Sequence, residues 1–321
     1  MLQHIPTHVI AGTLGAGKTS LIRQLLAQRP AHERWAVLIN EFGQIGLDAA
    51  LLTQSADGIA LGEVAGGCLC CVNGAPFQIG LGRLLRKSRP DRLFIEPSGL
   101  GHPAQLLRQL NVAPWIGVLA VQPCVLVVDA QALINGRQLP EAQREILCEA
   151  GLLVLNKSEH LTDAERARLT AQLPDLEMHW TEQAALPFDR LPRRADFSKA
   201  AVDNVPLPQG PAPVPAVWAS LDQPICLYQQ QGGGWSIGWR WHPSRRFDTQ
   251  ALAQWLQGLG WKRAKLVVHG ASGWASANAL EGAPLHWRDS EWRQDSRIEL
   301  IFDEPQATQV LQAALASCLC V

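Results

Sequence analysis

The chain has 321 residues, room for two domains at roughly 150 residues each, and 47% of them are hydrophobic, so a sizeable core can form. With 28 Lys and Arg against 29 Asp and Glu the net charge is −1, which argues against the clustered positive surface of a nucleic-acid-binding protein. No apolar run approaches the roughly 18 residues of a membrane span and the first residues do not form a signal peptide, so a cytoplasmic protein is expected, its eight Cys being thiols or metal ligands rather than disulfides.

In chain order, short apolar runs at 8–11, 35–39, 92–95, 125–128 and 152–155 predict strands. Leu21, Ile22, Leu25 and Leu26 repeat at helical spacing between the first two. Near-continuous apolar strands separated by helices predict a mainly parallel sheet covered on both faces, a three-layer α/β domain over 1–197. Pro206, Pro208, Pro211, Pro213, Pro215 and Pro224 then mark a semi-extended linker, set at 198–215. Beyond it the chain is Trp-rich, with nine of its twelve Trp after residue 210. Strands are expected at 235–241, 265–269, 274–279 and 297–302, with Gly232, Gly233 and Gly234 turning a hairpin. Asp248 or Thr249 caps a helix carrying Leu252, Trp255, Leu256 and Leu259. Pro305 opens a last helix with Val310, Leu311, Ala314 and Leu315 on one face. A smaller α+β domain over 216–321, an antiparallel sheet with two helices, is the expectation.

Gly12-Thr13-Leu14-Gly15-Ala16-Gly17-Lys18-Thr19 fits G-x-x-x-x-G-K-[ST] between a predicted strand and a predicted helix. In that setting the backbone N–H groups of Gly12, Leu14, Gly15, Ala16, Gly17 and Ser20 wrap phosphates, aided by the helix N-terminus. Lys18 reaches the β- and γ-phosphates and the Thr19 hydroxyl binds Mg²⁺. Asn156-Lys157-Ser158-Glu159 resembles the N-K-x-D of guanine-specific proteins, Glu159 supplying the carboxylate with one extra methylene. The alternative is that Ser158 caps a following helix. Glu96, ending a strand and followed by Pro97, Ser98 and Gly99, sits where the acidic residue near the metal belongs. Asp129, also at a strand end, is either a second functional carboxylate or a turn and helix-cap residue.

Gly66-Gly67-Cys68-Leu69-Cys70-Cys71 places three thiols within four residues. Soft thiolates suit Zn²⁺ or Cu(I), and the absence of a second Cys pair makes the site open, suited to transient binding; packing of a loop by small Cys is the alternative. Cys124, Cys148 and Cys226 are read as core residues, Cys318 and Cys320 as the end of the last helix, and none of the scattered His as a ligand.

Taken together, the phosphate loop, C-x-C-C, strand-ending Glu and N-K-x-acid stand in an order that resembles the CobW-like family of P-loop GTPases, metallochaperone relatives of the urease and hydrogenase nickel-insertion GTPases. The resemblance implies GTP hydrolysis with Mg²⁺, with Lys18, Thr19 and Glu96 at the reaction centre, Gly99 at the nucleotide, and delivery of Zn²⁺, Co²⁺ or another divalent metal to a client metalloprotein. It implies a first switch at Asn40-Glu41-Phe42-Gly43, a second from Glu96 to Gly99, and a metal site of Cys68, Cys70 and Cys71, which Glu41 can join. Ile39 and Gln44 stand where the family carries outer Glu residues, and residues 198–224 lack the family's His-rich linker. Glu41 and Gln44 are the candidates to orient water. The rival expectations are a metal-independent GTP switch with structural cysteines, and a P-loop kinase acting on a small molecule.

Overall fold

The computed structural model describes residues 2–39, 59–63, 75–97, 99, 102–194, 207–208, 218, 220–231, 234–281, 283–290 and 292–320. Asn40 to Gly43 with Glu41, then Gln44, Cys68, Cys70, Cys71 and Ser98 lie outside the described residues. The chain divides into two compact units, one built on a parallel sheet and one on an antiparallel sheet.

In the first unit the strands are β1 (Ile5–Gly12), β2 (Trp35–Ile39), β3 (Ile59–Glu63), β4 (Arg92–Glu96), β5 (Leu119–Val121), β6 (Cys124–Asp129), β7 (Ala150–Asn156) and β8 (Met178–Thr181). They pair in parallel in the order β3-β2-β4-β1-β6-β7-β8, with β5 beside the start of β1. The five strands expected from apolar runs all form. Along β1, His8, Val9, Ile10 and Ala11 are all fully enclosed, as both faces of a covered sheet require. The strands that had not been expected, β3, β5 and β8, are short, and β8 carries only Met-His-Trp-Thr.

Between them run α1 (Lys18–Leu26), α2 (Ala75–Ser88), α3 (Pro103–Leu110), α4 (Ala130–Ile134), α5 (Glu141–Leu147) and α6 (Asp163–Gln172). Helix α1 buries Leu21, Ile22, Leu25 and Leu26, the stripe its spacing predicts. Helix α6 opens with a capping box: Thr162 accepts from the Glu165 backbone and Glu165 from the Thr162 backbone. Thr162, not Ser158, therefore caps the helix after the Asn156 segment. Within the segment read as linker, Leu207 packs against the apolar core, and Arg86 on α2 donates to the carbonyls of Leu207 and Pro208 at 3.3 and 2.9 Å.

In the second unit β9 (Ile225–Gln231), β10 (Gly234–Trp241), β11 (Arg263–Gly270), β12 (Gly273–Leu280), β13 (Arg288–Asp289) and β14 (Ser296–Phe302) pair antiparallel in the order β13-β12-β11-β14-β10-β9. Gln231 pairs with Gly234, as a hairpin turned by the glycines requires. Trp235, Ile237, Trp239 and Trp241 alternate inward against α7 (Thr249–Gln257) and α8 (Thr308–Ala316). The other face of β11 and β14 carries Arg263, Lys265, Arg297 and Glu299, all buried, with Lys265 directly opposite Glu299. Asp248 caps α7, accepting from the N–H groups of Gln250 and Ala251, and Leu259 follows the helix rather than lying in it.

Two expectations about the last helix need correction. It begins at Thr308, not at Pro305, because Ala307 is its N-terminal cap. Its inward stripe is Leu311 and Leu315, with Cys318 buried just past its end and Val310 exposed. A helix turns 100° per residue, so the start and the packing partner decide which of two adjacent apolar residues faces in.

Candidate nucleotide site

Loops leave the C-terminal ends of β1, β4, β6 and β7 along one edge of the parallel sheet, where open α/β folds hold their ligands. The phosphate loop leaves β1. Gly12 ends that strand at φ 148°, and a Cβ there would stand 2.2 Å from the Val127 carbonyl oxygen. Gly17, at φ 110°, opens α1, and a Cβ there would lie 2.4 Å from Asn156 Nδ2. Side chains at either place would collide with backbone or with a buried amide, so the loop curls only as glycine. Lys18 is buried, and its Nζ donates to the Thr13 carbonyl at 3.1 Å within the loop. The Thr19 hydroxyl donates to Glu96 Oε1 at 2.9 Å, joining the start of α1 to the end of β4 across a buried carboxylate. Gly99 packs on the loop tip, where a Cβ would come within 2.5 Å of the Leu14 nitrogen.

Asn156 is buried and works in both directions. Its Nδ2 donates to the Ala16 carbonyl at 2.8 Å, and its Oδ1 accepts from the Ala184 N–H at 2.7 Å. One side chain thus ties β7 to the phosphate loop and to the segment after β8. Lys157 follows in the left-handed region at φ 59°, and its Nζ pairs with Asp129 Oδ2 at 2.5 Å. Asp129 Oδ1 meanwhile accepts from Ala132 N at 2.9 Å, so the helix-cap reading of that carboxylate holds, and its other oxygen is the partner of Lys157. Ser158 donates to the Thr181 carbonyl at 3.0 Å. Glu159 is exposed and, with Asp129, Ala132, Lys157 and His160, lines an open depression of about 330 Å³.

Sequence reasoning missed the segment after β8, where Gln183 and Ala184 both have positive φ, 50° and 57°. Nothing in its composition marks it; only its position at the end of the strand beside β7 does. It also missed Gln143 on α5, which reaches Gly99.

Among the described residues no group of three His, Cys, Asp or Glu side chains is placed to hold a metal. The metal residues named from the sequence, Cys68, Cys70, Cys71 and Glu41, lie outside the described residues. Cys124 is core, as expected: burial pushes its thiol up to about 12, which disfavours the thiolate a ligand needs. Burial likewise pushes Cys226 up to about 11. Cys148 is a correction, because it stands exposed just past the end of α5 rather than in the core.

Residues 6–181 match the family model described as the CobW/HypB/UreG nucleotide-binding domain. The chain is similar to the zinc chaperone YeiR of Escherichia coli, 35% identical over 96% of each chain. It is also similar to the zinc chaperone CobW of Pseudomonas aeruginosa, 32% identical over 54% of this chain and 55% of that protein, about half the relative's length. Among solved structures, the Zn(II)-bound YjiA GTPase of E. coli aligns over 98% of this chain and 99% of that one, at 16% identity and a TM-score of 0.40.

Proposed function

The chain belongs to the CobW/HypB/UreG family of nucleotide-binding proteins, and from that premise we propose a GTP-hydrolysing zinc chaperone whose nucleotide state controls a thiolate site for Zn²⁺ or Co²⁺. The observation that carries the reading is the Thr19–Glu96 pair at 2.9 Å beside a loop in which positions 12 and 17 admit only glycine. The relatives named above as zinc chaperones, and a zinc-regulated GTPase metalloprotein activator 37% identical over 49% of this chain, support the metal and the nucleotide.

In this reading the N–H groups of the phosphate loop, from Gly12, Leu14, Gly15, Ala16 and Gly17 into Ser20, bind the phosphates, with the α1 N-terminus adding positive potential. Lys18 exchanges the Thr13 carbonyl for phosphate oxygens. Thr19 and Glu96 offer the hard oxygens that Mg²⁺ requires, and their pairing fits that ion. When bound, Mg²⁺ supplies charge neutralisation to the phosphates. Gly99 senses the γ-phosphate end of the nucleotide. Asn156 holds the base loop against the phosphate loop, Lys157 flanks the base, and Glu159 accepts from the guanine donors. Positioning and charge neutralisation are most of what phosphoryl transfer needs from a protein, and the intrinsic rate is expected to be slow.

The cargo metal would be held by Cys68, Cys70 and Cys71, with Glu41 as an oxygen donor, and handed to a client metalloprotein. The domains proposed are 1–197 and 216–321, joined by 198–215, of which Leu207 and Pro208 lie against the first. No described helix is long and apolar enough to cross a membrane, and the thiolate site suits a reducing, cytoplasmic setting.

The test is a titration of reduced protein against a chromophoric chelator, with a GTP analogue and with GDP. One Zn²⁺ per chain is expected, with affinity that differs between the two nucleotide states by about 5- to 150-fold, the usual range of coupled sites. A Cys68→Ser, Cys70→Ser double variant should lose the metal and keep GTP. Equal metal affinity in both states, or a double variant that binds as tightly, leaves a metal-independent switch. Equal affinity for ATP and GTP would remove the guanine assignment.

A further inference from the structure

Helix α5 is short and turns only a narrow face inward. Ile146 is fully buried on that face, and one turn earlier stands Gln143, 1% exposed. A leucine would fill the position without a buried amide to satisfy, so the amide calls for an explanation. Its Nε2 points to the Gly99 carbonyl at 3.5 Å, the outer limit of a hydrogen bond. Its Oε1 is enclosed and has no hydrogen-bond partner among the described residues. Gly99 itself touches the phosphate loop, a Cβ there falling 2.5 Å from Leu14 N and 2.9 Å from the Thr13 carbonyl carbon. Three residues earlier is Glu96, held by the Thr19 hydroxyl. One buried carboxamide therefore reaches Gly99 where it meets the loop tip, and it brings there an acceptor with no partner among the described residues.

We propose that Gln143 is a positioning residue for GTP hydrolysis: its carboxamide holds Gly99 against the phosphate loop in the nucleotide-bound state. Nε2 tightens on the Gly99 carbonyl, and Oε1 accepts from a water or a main-chain N–H that takes its place when GTP binds. Gln143 touches no reacting atom. It acts through Gly99, and because it senses the γ-phosphate end of the nucleotide it distinguishes GTP from GDP. The inference rests on the GTPase reading.

The full chain carrying Gln143→Leu, which keeps the shape and removes donor and acceptor, is compared with Gln143→Glu, which keeps an acceptor and replaces the Nε2 donor. GTP turnover, affinity for a non-hydrolysable GTP analogue, affinity for GDP and the thermal midpoint are measured on each. Losing one or two neutral hydrogen bonds predicts a fall of about five- to tenfold in kcat and in analogue affinity for Gln143→Leu. GDP affinity should stay within about twofold, since GDP does not reach the segment that Gln143 backs, and the midpoint should hold or rise as an unsatisfied polar atom is removed. Gln143→Glu, which sets an acceptor against the Gly99 carbonyl, should be impaired at least as much, and it carries the test if the leucine variant does not fold. A wild-type kcat in either variant, or GDP and analogue affinities falling together, overturns the proposal. If wild-type protein hydrolyses ATP instead, the guanine assignment fails, and the same comparison with ATP and ADP still judges Gln143.

Discussion

At the scale of single residues, the nucleotide site is built on places where no side chain fits. Gly17→Ala would drive a methyl group into Asn156, whose amide joins three segments. We expect that variant to lose GDP affinity by more than about tenfold and to melt earlier, because the clip and the loop move together. Gly136 is the control: its φ is 87°, but nothing lies within 4 Å of a Cβ there. Gly136→Ala should lose only the left-handed strain of about 1 kcal/mol and bind GDP normally. Calorimetric titration and thermal melts on both variants separate steric collision from backbone strain. His8 supplies a pH effect. It is enclosed in β1, stacked on Phe94 at 5.5 Å, with Arg92 Nη1 at 3.0 Å from its Nε2. Burial first, then Arg92 and Arg193, push its pKa from 6.5 down to about 3. The folded chain keeps His8 neutral while the unfolded chain takes up a proton near pH 6.5, so its contribution is complete above pH 6.5 and lost as pH falls toward 3. Each tenfold difference in proton affinity corresponds to about 1.4 kcal/mol. Urea unfolding at pH 7.5 and 5.0 should show less acid loss for His8→Gln than for the wild type; parallel losses would place the acid sensitivity elsewhere.

At the scale of elements, α4 and the segment from Asn156 to Glu159 share one carboxylate. Asp129 caps the helix through Ala132 and pairs with Lys157, which leads into Glu159. Asp129→Asn keeps a capping oxygen and removes the charge, so it should weaken GTP binding with little change in stability. Asp129→Ala should weaken binding similarly and destabilise by about 1 kcal/mol more, the usual value of a cap. Fluorescent-nucleotide binding and denaturant unfolding on the pair separate the two roles. The ion pair is partly exposed, with side-chain exposures of 36% for Lys157 and 18% for Asp129, so its effect should shrink in high salt. Element prediction succeeded where burial was symmetric, as in β1 and β6, or where alternation was strong, as in β10. It failed at Pro305 and Val310 because a nine-residue helix can rotate by one position without losing its apolar stripe.

At the scale of the whole molecule, two cores form independently. One gathers the parallel strands with α2 to α6, and the other gathers Trp235, Trp239 and Trp241 of β10 with Trp261 under α7 and α8. Every residue proposed to bind the nucleotide belongs to the first unit. Hydrogen exchange should therefore show GDP protecting β1, α1, the end of β7 and the segment around Ala184, with β10, β11 and β14 unchanged. Equal protection of both units would mean that nucleotide binding orders the second unit as well. Nine of the twelve Trp lie beyond residue 210, so intrinsic fluorescence reports chiefly on the second unit and gives an independent reading of the same question.

The phosphate loop was legible in the chain because a cradle of backbone N–H groups needs only contiguous residues: glycines at two spacings, Lys18, Thr19, and a strand and helix on either side. Glu96, Asp129 and Asn156 were legible as strand ends, since apolar runs stop where chains leave a covered sheet. Their partners were not. That Asn156 would grip Ala16 and Ala184, that Lys157 would pair with Asp129, that Thr19 would meet Glu96 and that Gln143 would reach Gly99 all depend on which strands lie side by side and in what register. Those pairings join residues 28 to 140 positions apart. Local patterning fixes periodicity and turns, which act over a few residues, whereas strand order is decided by how the whole sheet buries both of its faces. The composition of this chain thus determined which chemistry it carries, and only the folded sheet decided which side chains hold that chemistry in place.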